Sequence, residues 1–143
     1  MQPKLKRVAA IHDLSGFGRA SLTVIIPTLS VMGIQVCPVP TAVLSTHSGG
    51  FTDYAFHDLT DIMSGYTAHW KKLGLSFDCI YSGFLGSPRQ ASIVSSFIDD
   101  FKTERMLTVV DPVMGDNGSL YNSVSKDMIP EMRKLIAKAD IIV

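Results

Sequence analysis

The 143-residue sequence predicts an α/β fold in three layers, with helices on both faces of a mostly parallel sheet. Three observations carry this expectation. Apolar runs of strand length alternate with apolar positions at helical spacing along the whole chain. Most of the helical stretches carry their own start or stop signal. The segments that follow the strands are rich in Gly, Ser, Asp and His, as expected where a ligand sits beyond the carboxyl ends of an open sheet.

"LKRVAAI" reads as a buried first strand, ending at Ile11. Leu22, Ile25, Ile26, Leu29 and Met32 recur at helical spacing, and Gly33 supplies a stop. Pro27 inside that stretch predicts a kink or a break. "IQVCPVP" is a second strand, whose prolines suggest an edge or a strand end. Residues 41–57 do not fit the alternation, and are expected to form a small flap or hairpin over the carboxyl edge of the sheet. A second helix carries Leu59, Ile62, Met63, Tyr66, Trp70 and Leu73 on one stripe, with Asp58 as N-cap and Gly74 as stop. "DCIYSG" is the third strand. Ser87 to Gln90 form a capping box with proline at the first helical position, and Ile93, Val94, Phe97, Ile98 and Phe101 make a clean helical face. "MLTVV" is a fourth strand, Met128 to Ile136 a last helix, and "DIIV" the start of a fifth strand.

Composition narrows the class. One domain suits this length, and hydrophobic residues make up 46% of the chain. Lys plus Arg equals Asp plus Glu at 13 each, and a net charge of zero argues against a nucleic-acid binder. No apolar run approaches a membrane span or a signal segment, so a cytoplasmic globular protein is expected. Cys37 and Cys79 lie in apolar runs without metal spacing, and are expected to be buried free thiols.

Four segments are candidates for a site. "HDLSGFGRAS", His12 to Ser21, begins like a G-x-G-x-x-G turn, but Ser21 replaces the third glycine. No acidic residue lies between Asp13 and Asp53, and no lysine completes a P-loop, so neither phosphate motif holds. A turn that offers N–H groups to a polar ligand, or a tight turn with no ligand, remains. "STHSGG", Ser45 to Gly50, groups hydroxyls, an imidazole and two glycines, which suits either a small polar ligand or a bare hairpin tip. "SGFLGS" follows the third strand. "DPVMGDNGS" sets Asp111 at a strand end with Asp116 five residues on, a pair suited to Mg²⁺ with its waters and phosphates, or simply to turns.

Together, "HDLSGFGRASL", "LSTH", "SGFLGS" and "DPVMGD" resemble the pyridoxal/pyridoxine/pyridoxamine (vitamin B6) kinases of the ribokinase-like superfamily, and among them the bacterial pyridoxamine-kinase branch. The resemblance runs through the whole chain in order. It implies transfer of the ATP γ-phosphate to the 5′-hydroxymethyl group of a B6 vitamer. It also implies Mg²⁺, with a monovalent cation such as K⁺ as a further candidate, and a homodimer. By position it makes Asp13, Ser15, His47, Ser48 and Phe84 substrate-binding residues. Asp111, Asp116 and Tyr121 fall on the nucleotide and phosphate side, with Asp111 and Asp116 as metal ligands. Asp13 stands where the family often has serine, and Thr46 where "SNH" has asparagine. An anionic Asp13 would suit a protonated pyridine nitrogen or the amine of pyridoxamine. The family's G-T/V-G-D motif, with its catalytic base, is not among these residues. The expectation is therefore an N-terminal part, residues 1–143, of one kinase domain, inactive alone and with the base C-terminal to Val143. A hydroxymethylpyrimidine (phosphate) kinase is the nearest alternative. A non-catalytic ligand-binding half-fold, should the native chain end at Val143, and a flavodoxin-like domain are others.

Overall fold

A computed structural model describes residues 5–116, 118–121 and 123–143 of the chain. Its elements follow the order β1 (Lys6–Phe17), α1 (Leu22–Val31), β2 (Ile34–Thr46), β3 (Phe56–Asp58), α2 (Thr60–Lys72) and β4 (Cys79–Ser82). The chain continues through α3 (Pro88–Phe101), β5 (Leu107–Val110), β6 (Gly115–Asp116), β7 (Ser119–Leu120), α4 (Met128–Ile136) and β8 (Ile141–Ile142). Six strands form one sheet in the order β3-β2-β1-β4-β5-β8, and β6 and β7 form a separate small hairpin. All pairs in the main sheet are parallel except β2 with β3.

The sheet order places the helices. From β1 the chain first moves outward to β2, then returns to β4 on the other side of β1. Right-handed crossovers in opposite directions leave their helices on opposite faces. Thus α1 lies alone on one face, and α2, α3 and α4 cover the other. The main core is on the three-helix side: Ile11, Ile80 and Val110 from the sheet meet Met63, Val94, Phe97, Met132 and Leu135. Trp70, Phe77, Phe97 and Phe101 stack there with ring centroids 4.5 to 6.2 Å apart.

The predicted layers and the alternation of elements hold, and several local expectations are corrected. The first strand does not stop at Ile11: β1 continues to Phe17, because Leu14, Ser15 and Phe17 pair with Val43, Leu44 and Thr46. Likewise β2 runs past Pro40, so Asp13, Ser15 and Thr41–Thr46 lie within strands rather than in loops after them. The flap expected over 41–57 is a hairpin, but its first arm is the end of β2 and its return arm is β3. Pro38 and Pro40 are tolerated because β3 pairs only with Ala42–Leu44, leaving that stretch of the outer edge of β2 without a strand.

Helix α1 runs unbroken through Pro27. Of its expected stripe only Leu22 is fully buried, and Ile26 and Met32 are exposed, since one helix over a sheet face has no helical neighbour to cover it. Ile62 in α2 and Leu73 just after it are also exposed, and Thr60 and Thr67 take buried positions. Asp58 is not the N-cap residue, which is Leu59, yet its carboxylate accepts from the Thr60 N–H at 2.7 Å. Cys37 and Cys79 are free but only half-buried. Burial still raises both thiol pKa values, that of Cys79 to about 11. No helix among the described residues is long and apolar enough to cross a membrane.

Candidate functional site

The extension of β1 and β2 beyond the other strands builds the site. Their paired ends rise past the carboxyl edge of β4 and β5, near the point where the sheet order reverses from β2 to β4. This is where ligands bind in open α/β sheets. A cavity of about 230 Å³ opens there, lined by Asp13, Ser21, His47, Ser48, Phe84 and Tyr121 among others. Five of the residues expected from the sequence are thus brought together.

Asp13 sits at the buried end, 6% exposed. The Ser15 hydroxyl donates to its Oδ2 at 2.8 Å, and the Ser21 hydroxyl to its Oδ1 at 2.5 Å. Ser15 is fully buried and supports Asp13 without lining the cavity. Ser21 was not singled out by sequence reasoning. It occupies the third position of the failed G-x-G-x-x-G pattern and adopts φ 51°, a region glycine enters readily and serine rarely. The missing glycine was itself a signal: the backbone there still needs positive φ, and the serine hydroxyl reaches Asp13.

Gly18 has a different role from phosphate binding. A Cβ there would lie 2.1 Å from His47 Cδ2 and 2.7 Å from Nε2, so the imidazole occupies the space a side chain would take. His47 is further held by its N–H to the Phe17 carbonyl at 3.3 Å, and its ring meets Phe51 edge-on at 5.0 Å. Phe84 is positioned from below: the Thr41 hydroxyl donates to its carbonyl at 2.9 Å. Buried Gln90 then ties the surrounding loops, donating through Nε2 to the Thr41 carbonyl and Thr60 hydroxyl, both at 2.9 Å. In the expected capping box, Ser87 Oγ accepts from the Gln90 N–H, but Gln90 Oε1 accepts from Gly86 rather than from Ser87.

His12, beside Asp13, is 3% exposed and packs edge-on against Tyr81 at 4.4 Å. Burial lowers its pKa to about 4, against smaller opposing effects of Asp13 and of a backbone hydrogen bond at Tyr81. It is therefore neutral at pH 7.

Asp111 follows the last residue of β5, half-buried, with its N–H on the Ser82 carbonyl at 2.8 Å. Burial raises its carboxyl pKa. It does not line the cavity, although Val113, two residues on, does. The backbone of Asp116 lies in β6, and its side chain is outside the described residues. The described residues contain no group of three or more His, Cys, Asp or Glu side chains that could hold a metal ion.

This open, mostly parallel α/β sheet is of the ribokinase-like type, as its likeness to solved structures shows. No family model matches the chain. Among solved structures, it is similar to a Bacteroides thetaiotaomicron protein named as a candidate phosphomethylpyrimidine kinase and crystallised with pyridoxal. The two are 59% identical with a TM-score of 0.94, over 97% of this chain and 48% of that one. Pyridoxal kinase from Lactobacillus plantarum is 36% identical with a TM-score of 0.90, over 96% of this chain and 49% of that one. Among curated proteins, a Saccharomyces cerevisiae protein named as a candidate pyridoxal kinase is 31% identical over 115 residues, 75% of this chain and 35% of its own length. The chain belongs to the vitamin B6 kinase family of the ribokinase-like fold. It spans about half the length of the solved relatives and about a third of the yeast one.

Proposed function

We propose that the protein takes part in ATP-dependent phosphorylation of the 5′-hydroxymethyl group of a vitamin B6 vitamer: pyridoxal, pyridoxine or pyridoxamine. The cavity that gathers Asp13, His47, Ser48, Phe84 and Tyr121 carries this reading. Its size suits one small ring, and a 59% identical relative was crystallised with pyridoxal. In this reading Asp13, supported by Ser15, meets the vitamer at the buried end, and Phe84 lies beside its ring. His47 and Ser48 contact its polar substituents from the β2–β3 hairpin. Tyr121 borders the opening towards the nucleotide.

Asp111 is a hard oxygen donor at a strand end, and a carboxylate with water and substrate phosphates is what Mg²⁺ accepts. It therefore fits the metal that ATP chemistry requires, with Asp116 as its assigned companion. When bound, the ion would neutralise charge on the transferring phosphoryl group. The general base and most of the nucleotide pocket are assigned to the part of the longer relatives that this chain does not span, so these 143 residues alone are expected to be inactive.

The test is incubation of the intact protein with Mg²⁺, ATP and each vitamer, following the phosphorylated product by mass. Hydroxymethylpyrimidine belongs in the same panel, because the name of the Bacteroides relative favours it. A higher kcat/KM for the pyrimidine would replace the B6 reading, and no ATP-dependent product from any of them would refute both.

A further inference from the structure

We propose that Gln90, which does not line the cavity, is a positioning residue for the vitamer: its buried amide joins the root of the β2–β3 hairpin to the loop that carries Phe84, and so fixes the gap between two walls of the cavity. This rests on the B6 kinase reading and adds to it a residue that acts on the ligand only through others.

The two walls come from different segments. Leu44, His47, Ser48 and Phe56 belong to the hairpin, and Phe84 to the loop after β4. The parallel ladder of β4 with β1 ends at Ser82, and the Gly83 N–H closes on the Ile11 carbonyl at 3.0 Å. Phe84 therefore lies beyond the sheet. Leu85 is fully buried in the core, but apolar burial is non-directional and does not by itself fix where Phe84 faces. Hydrogen bonds are directional, and here they run through Gln90.

Gln90 is 0% exposed. Its Oε1 accepts from the Gly86 N–H at 2.8 Å. Its Nε2 faces three acceptors on the hairpin root: the Thr41 carbonyl and the Thr60 hydroxyl, both at 2.9 Å, and Asp58 Oδ2 at 3.2 Å. The two sides of the amide are not interchangeable, because the N–H of Gly86 needs an oxygen opposite it and the carbonyl of Thr41 needs a donor. Thr41 relays the contact. Its carbonyl also accepts from the Leu59 N–H at 3.0 Å, and its hydroxyl donates to the Phe84 carbonyl at 2.9 Å. One amide thus ties residues 84 and 86 to the point where β3 leads into α2. Capping of α3 requires none of this, since Ser87 accepts from the backbone N–H of Gln90. A glutamine used only for a capping box would return its side chain to the N-cap backbone; this one turns to the loop and the hairpin instead.

Isothermal titration of the intact protein with pyridoxal and, separately, with ATP tests this. Gln90→Met keeps a long, unbranched side chain that can fill the same space, and removes its hydrogen bonds. It should weaken pyridoxal by about 10- to 100-fold, since a misplacement of about 1 Å from a remote change can cost on the order of 10²-fold. ATP binding should be unchanged. In a Phe84→Ala background the same change should cost pyridoxal severalfold at most, the non-additivity expected when one residue acts through another. Thr41→Val removes the hydroxyl bond to Phe84 and should weaken pyridoxal severalfold; it carries the test should Gln90→Met not fold. Unchanged pyridoxal affinity in Gln90→Met, or in Thr41→Val where that variant does not fold, overturns the inference and makes the amide purely structural, even if the urea midpoint falls. A parallel loss of pyridoxal and ATP, or an undiminished effect in the Phe84→Ala background, overturns it as well. Each of these outcomes leaves the B6 reading standing. Failure of the wild-type protein to bind pyridoxal overturns the inference and the B6 reading together.

Discussion

Replacing Gly18 by alanine would put a Cβ 2.1 Å from His47 Cδ2 and 2.7 Å from Nε2. Carbon atoms in contact sit about 3.5–4.0 Å apart, so the imidazole cannot remain where it is. Two costs follow. The backbone at Gly18 has φ 92°, and holding alanine in such a sparsely populated region costs about 1–3 kcal/mol. The steric cost depends on whether His47 can leave. It is only half-buried and sits at the start of the β2–β3 loop, so its ring can swing outward at little expense. Stability should therefore fall by about the backbone amount alone. Ligand binding should suffer more, because His47 no longer faces the cavity. Urea unfolding checks the first part: the midpoint drops with an unchanged slope. Titration with pyridoxal checks the second: Gly18→Ala should weaken binding about as much as His47→Ala does. The double variant should be little worse than either single one, the non-additivity expected when two residues act through one contact. Wild-type affinity in Gly18→Ala would refute the reasoning. A further loss in the double variant equal to the sum of the two would mean that Gly18 acts on the ligand by another route.

On the proposed function, Asp111→Asn in the intact protein should lower turnover by about two to three decades, since metal-borne charge stabilisation is worth several kcal/mol; near-normal rates at limiting Mg²⁺ would refute the proposed metal role of Asp111. Gly83→Ala would set a Cβ 2.3 Å from His12 Nδ1, and with His12 buried the overpacking should cost about 1–3 kcal/mol in a urea titration. A cost near zero would show that the histidine has room to move. His12 also predicts a pH dependence. Its folded pKa of about 4 lies below the free value of 6.5, so between these values the unfolded chain binds a proton that the folded chain does not. Stability present above pH 6.5 should fall as the pH drops towards 4, by about 3 kcal/mol in all. Comparing unfolding midpoints with His12→Gln isolates this contribution, and parallel pH profiles for the two proteins would contradict it.

The sequence by itself determined the layers and the succession of elements. Apolar spacing and local punctuation do not depend on distant partners. Gly33 and Gly74 take the positive φ that ends α1 and α2, and Ser87 accepts from Gln90 as a cap should. It also marked the segments that hold Asp13, His47, Ser48 and Phe84, because Gly, Ser, Asp and His concentrate after the apolar strands; the resemblance to B6 kinases then singled out these residues and Tyr121. Tertiary structure decided the rest, for a physical reason in each case. Pairing with Val43 to Thr46 kept Leu14 to Phe17 in β1 although glycines there read as a turn. The reversal of sheet order left α1 without helical neighbours, which an amphipathic pattern cannot foresee. Ser21 reaches Asp13 across eight residues only because the chain turns back at Gly18, and Gly18 is open only because His47 arrives from β2 to fill the space. Those contacts join segments whose spacing has no period, so they exist only once the strands are side by side.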